Sequence, residues 1–183
     1  MRPPRSIGAI IALAAFFALP LGGCSRSMEL NAAGSIHNQV RFSFCDTCPT
    51  STDKIGHFIV YEVTGVTETA ATLNPIWRLQ GDTRVNEIFY GHTPLGLRPP
   101  KGAHGYIDGA PPPPLVPGRS YLAYAYAATT PPADAMVYFQ IAWDGEVLLP
   151  ELDTRLYSKL VRALGQSFSQ GHAQLDTSYD SAR

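Results

Sequence analysis

Short runs of β-branched, aromatic and aliphatic residues recur along the chain with turn residues between them, and this rhythm most restricts the fold. The runs cover residues 36–44, 57–63, 75–80, 85–90, 121–127, 137–143 and 146–149. About seven short strands broken by turn signals describe an all-β sandwich or barrel. In Val40-Arg41-Phe42-Ser43-Phe44 the apolar residues fall on one face, whereas Phe58-Ile59-Val60-Tyr61 is apolar on both, as a central strand requires. Asp144-Gly145 predicts a two-residue hairpin between the last two runs.

The segment Leu115-Val116-Pro117-Gly118-Arg119-Ser120-Tyr121, which leads into a strand, resembles the tyrosine corner of fibronectin type III and immunoglobulin-like sandwiches. The resemblance covers residues 115–127 and implies that the Tyr121 hydroxyl bonds back to nearby backbone. It implies an architecture and no function. The expected fold is mainly β: an immunoglobulin/fibronectin-III-like β-sandwich of about seven strands, over residues 36–149, with one C-terminal α-helix. The helix is expected over residues 150–165. Leu152, Leu156, Tyr157, Leu160, Val161 and Leu164 keep helical spacing, and Gly165 stands where a C-cap would. Residues 166–183 are rich in Ser, Gln and Asp without clear period and read as a flexible tail.

At the other end, Arg2 and Arg5 precede an uncharged, mostly apolar stretch over residues 7–21, the pattern of a secretory signal. The stretch is shorter than the ~20 residues of a spanning helix. It closes on Leu21-Gly22-Gly23-Cys24, which resembles the lipobox of bacterial lipoproteins. That resemblance implies cleavage of residues 1–23, a diacylglyceryl group and further acylation (palmitate) on Cys24, and a membrane partner held through lipid. More than one acyl chain is needed for stable anchoring. Ser25, in place of Asp, implies the outer membrane, with the protein facing the periplasm. Residues 24–35 are small and polar and read as the tether.

Loss of residues 1–23 removes Arg2 and Arg5 and no acid, so the formal charge falls from −1 to −3. Lys and Arg are scattered singly, without the basic patch of a nucleic-acid binder, so no nucleic acid is expected as partner.

Cys45-Asp46-Thr47-Cys48 admits three readings. The reading adopted is a structural disulfide, which suits an exported chain with two cysteines left once Cys24 is acylated. A thiol-redox pair is the first alternative, but such sites open a helix within a βαβ unit, whereas Pro49-Thr50-Ser51-Thr52-Asp53 reads as a turn. A metal site drawing on His57, His92 or His104 is the second, without the paired spacing of zinc modules. His57 reads as the start of a strand. No cofactor is expected.

Residues 91–118 form a Pro- and Gly-dense stretch, and its run of four prolines at 111–114 favours a polyproline II rod. So long a connection either crosses between sheets or carries a site, in which case Arg98, His104 and Tyr106 are its candidate contacts. Tyr124 and Tyr126 share a strand face with Leu122 and form a candidate platform for a partner. The chain has no G-x-S-x-G, H-E-x-x-H, P-loop or G-x-G-x-x-G motif. The expected function is that of a non-enzymatic, lipid-anchored envelope module that binds a protein or an envelope polymer. An immunity or inhibitor protein is one variant of this reading, and a thiol-redox or metal-handling lipoprotein is the alternative.

Overall fold

The computed structural model describes residues 28–44, 54–100, 111–127 and 133–179, the final helix with its side chains through residue 168. Among these residues, nine strands precede one helix: β1 (Leu30–Ser35), β2 (Gln39–Phe44), β3 (Ile55–Val66), β4 (Ala71–Thr83), β5 (Glu87–Phe89), β6 (Leu97–Arg98), β7 (Ser120–Ala127), β8 (Ala133–Ile141), β9 (Val147–Leu148) and α1 (Thr154–Tyr179). They form a three-stranded sheet in the order β1-β2-β5 and a six-stranded sheet in the order β6-β4-β3-β7-β8-β9. All pairings are antiparallel. The protein is thus mainly β, as expected, with two packed sheets and a C-terminal helix.

Two apolar layers hold the fold together. Between the sheets, Phe42, Phe58, Phe139 and Trp77 join Val40, Val60, Leu79, Ile88 and Tyr121. Phe42 stands at the centre, its ring 5.1 Å from Phe58 and 5.6 Å from Phe139, in the tilted and edge-on geometries that aromatic pairs favour. On the outer face of the six-stranded sheet, Ile59, Tyr61, Leu122, Tyr124 and Tyr138 pack beneath Leu160, Ala163 and Leu164 of α1. The central strands β3 and β7 therefore contribute alternate residues to two different cores. This explains why Phe58, Ile59, Val60 and Tyr61 are all buried.

Tyr121 fixes the entry to β7. Its ring stacks on Phe139 at 5.4 Å, and its hydroxyl accepts the Val116 N–H at 2.7 Å. The proline run before it is held by Tyr90, whose hydroxyl donates to the Pro113 carbonyl at 2.7 Å.

Several boundaries differ from the sequence reading. Residues 30–35, assigned to the tether, form β1. Their small side chains have little strand propensity, but pairing with β2 satisfies the backbone while Leu30 and Ala32 turn inward. The run 36–44 is correspondingly split, because Ser35 pairs with Gln39 across a turn. The Asp144-Gly145 hairpin has three loop residues rather than two. Gly145 donates to the Ala142 carbonyl and takes φ 88°, the left-handed position of a three-residue hairpin with a bulge. The long connection contains β6, which pairs with β4.

The helix starts later and runs further than residues 150–165. Asp153 caps it, its carboxylate accepting the Leu156 N–H at 2.6 Å. Gly165 is helical and is no C-cap, because Phe168 continues the apolar stripe one turn on and meets the Tyr124 ring at 5.1 Å. Helix therefore occupies residues 166–179 of the expected tail. Of the expected docking face, Leu156, Leu160 and Leu164 do pack inward, whereas Tyr157 and Val161 are about half exposed.

Candidate functional site

One end of the six-stranded sheet lies beyond the part of α1 that packs through Phe168. Here the register aligns five side chains from five strands. Arg98 on β6 pairs with Gln80 on β4, Gln80 with His57 on β3, His57 with Tyr126 on β7, and Tyr126 with Asp134 on β8. Residues directly opposite in a ladder share a face. That face is the outer one, because their neighbours Leu97, Leu79, Phe58 and Ala125 point into the core between the sheets.

Arg98, Gln80, His57 and Tyr126 line an open cleft of about 680 Å³, together with Asp82, Gly56, Gly81 and Gly96. The backbone prepares this opening. Between Ile55 and His57, β3 advances two residues while β7 advances one, which leaves Gly56 as a bulge in the strand. Such a bulge bends the strand and re-aims the side chain beside it. Gly96 has φ 88°, and a Cβ on Gly81 would collide with the Gly96 carbonyl. Only glycine lets these two backbones meet so closely.

The electrostatics of the cleft are simple. Among the described residues its lining carries one carboxylate, Asp82, and one guanidinium, Arg98, beside the His57 imidazole, and Lys54 pairs with Asp82 at 2.8 Å. Among the described residues of the lining, the guanidinium of Arg98 is left as the charge without an ion-pair partner. The Tyr126 ring is partly buried, tilted by 40° against His57 with centroids 6.3 Å apart. Next to the row, Tyr124 is held in its neutral phenol form, first by burial and then by the carboxylate of Asp134. Burial also raises the pKa of Tyr61, an effect opposed by the Ser167 hydrogen bond and by the charge of Arg78. These shifts belong to the helix-covered face and keep it uncharged.

Of the residues singled out from sequence, Arg98 and Tyr126 line the same cleft from opposite ends of the row, with Gln80 and His57 between them. Tyr124 does not join them as an exposed platform: it is 8 % exposed, because Phe168 covers it. Cys24, Cys45, Cys48, His104 and Tyr106 lie outside the described residues. The connection carrying Cys45 and Cys48 leaves Phe44 and returns at Lys54, both at the cleft end of the sandwich. Gln80 and Asp82 were missed as site residues, and His57 was considered only as a ligand in the metal alternative. The available signal was a break in β3, where His57 replaces the apolar residues that Ile59 and Tyr61 supply to the same face.

Among the described residues, no group of three or more His, Cys, Asp or Glu side chains could hold a metal ion, and no helix is long and apolar enough to cross a membrane. In comparisons with known proteins, no family model, curated protein or solved structure matches this chain.

Proposed function

We propose that this chain is a lipid-anchored module of a bacterial envelope that binds a partner without catalysing a reaction. The observation that carries the reading is the row Arg98, Gln80, His57 and Tyr126 beside an open cleft. It offers hydrogen-bonding groups and an aromatic ring on a rigid sheet, which is the composition of a binding surface. The anchor is Cys24, supported by the lipobox-like Leu21-Gly22-Gly23-Cys24 and the signal-like residues before it. The destination is the outer membrane, facing the periplasm, on the identity of Ser25.

The scaffold belongs on this reading to the immunoglobulin/fibronectin-like class. Support comes from the passage of the chain between sheets after β2, β4 and β5, and from the Tyr121–Val116 bond at the entry to β7. In such sandwiches the connections cluster at the two ends, and here the cleft and the first residue of β1 share one end. Five residues lie between Cys24 and Leu30, and the six steps of chain joining them span at most about 22 Å. An acylated Cys24 thus keeps the cleft end on the membrane side of the domain. Cys45 and Cys48 form a structural disulfide in this setting. Labelling of thiols with and without a mild reductant tests it, and a readily reduced pair of low thiol pKa speaks instead for redox chemistry.

Metabolic labelling with palmitate tests the anchor. Label is expected on the native chain and not on a Cys24→Ala variant, and an unlabelled native chain overturns the anchor. Crosslinking of the acylated protein in whole envelopes tests binding. A captured partner lost on mutation of Arg98 and Tyr126 supports the reading, and no capture overturns it.

A further inference from the structure

We propose that the row Arg98–Gln80–His57–Tyr126 binds a carboxylate-bearing glycan laid across the strands. This rests on the reading of the chain as a binding module and names the ligand class of that site.

The shape comes first. Four neighbouring strands at the ~4.8 Å spacing of a sheet make a row about 14 Å long. The cleft along it is open and is not an enclosed chamber, so it suits an extended ligand rather than a compact one. The row also runs across the strands. A peptide read by a sheet instead adds along an edge, with side chains seated in pockets, and no aliphatic side chain lines this cleft among the described residues.

The functional groups then select the class. A sugar hydroxyl both donates and accepts hydrogen bonds, and so do the Gln80 amide and the Tyr126 hydroxyl. The partly buried Tyr126 ring adds an apolar surface for a sugar face. Arg98 has donors only, arranged in the planar fork that fits a carboxylate. With Asp82 engaged by Lys54 at 2.8 Å, no other acid among the described residues of the lining opposes a negative group there. One uncompensated cation fits an occasional carboxylate along a glycan. It does not fit a polyphosphate, which would need several.

The test uses the full-length acylated protein in detergent against an array of uronate-, muramate- and sialate-type glycans and their carboxyl-reduced counterparts. Binding is expected for acidic glycans. Arg98→Ala should weaken it about tenfold, the loss of one charge-assisted hydrogen bond, while binding to the reduced forms stays unchanged. Tyr126→Ala should weaken both, and Tyr126→Phe should weaken both less. Thermal melts of each variant separate lost binding from lost folding. No acidic glycan retained, equal retention by Arg98→Ala, or retention only of anionic phospholipid vesicles or inorganic phosphate would overturn the proposal. If the envelope crosslink still captures a partner in that event, the glycan assignment alone has failed and the binding module stands.

Discussion

The hydroxyl of Tyr121 accepts the backbone N–H of Val116, five residues earlier, at 2.7 Å, so one side chain closes the turn through which the chain enters β7. The ring beneath that hydroxyl is itself a core residue, 2 % exposed and stacked on Phe139. Removal of the oxygen alone leaves an amide without its acceptor. Tyr121→Phe is therefore expected to lower unfolding stability by about 1–3 kcal/mol without changing strand content. Urea denaturation combined with far-ultraviolet circular dichroism checks both halves of this expectation.

Tyr61, Tyr121 and Tyr124 all have pKa values raised above 10.0, with burial as the largest cause in each. The folded state then holds protons that the unfolded chain releases near pH 10. Stability from these groups is fully present below pH 10 and is lost as pH rises through their folded values. The melting temperature should fall above pH 10, and Tyr124→Phe should make that fall shallower. A melting series from pH 8 to about pH 11.5 decides it; an identical alkaline slope in the variant would count against the assignment.

The two faces of α1 make a sharper contrast than its sequence shows. Leu160 is fully buried against the sheet, while Val161 beside it is 44 % exposed. Leu160→Ala should cost about 2–5 kcal/mol, the range for emptying a core leucine site. Val161→Ala should stay within about 0.5 kcal/mol of the native protein. Equal losses in a denaturant titration would mean that the helix docks by a different stripe.

The two tryptophans report on different parts of the molecule. Trp77 is 3 % exposed in the core between the sheets, and Trp143 is 86 % exposed in the β8–β9 loop, its ring over Gly118. A neutral quencher such as acrylamide should therefore find one accessible and one protected population of emission. Trp143→Phe should remove the accessible population and leave the protected one.

Sequence periodicity located what local pattern controls. The doubly apolar run at 58–61 became a central strand, and the Tyr121 hydroxyl accepts the Val116 N–H at the entry to β7. What escaped was set by contacts distant in sequence. Leu30-Asn31-Ala32-Ala33-Gly34-Ser35 has no strand signature of its own, and its pairing with residues 39–44 makes it β1. Gly165 resembles a helix stop until Phe168 finds Tyr124. The candidate site shows the same division. Arg98 and Tyr126 were visible one by one, but their alignment through Gln80 and His57 depends on the register of four strands, and the Gly56 bulge sets that register at the cleft. His57 looked like an unremarkable strand start because nothing near it in sequence reveals what stands opposite.

The burial of β3 and β7 on both faces bears on how the cleft behaves in time. Amide protons of residues 58–61 and 121–125, where both faces of the sheet are covered, should be the last in the molecule to exchange with solvent, at rates set by global unfolding. Two of the four side chains of the row, His57 and Tyr126, stand immediately beside those segments on the same strands. A ligand arriving there meets a template already fixed in place, so little ordering of the protein has to accompany capture.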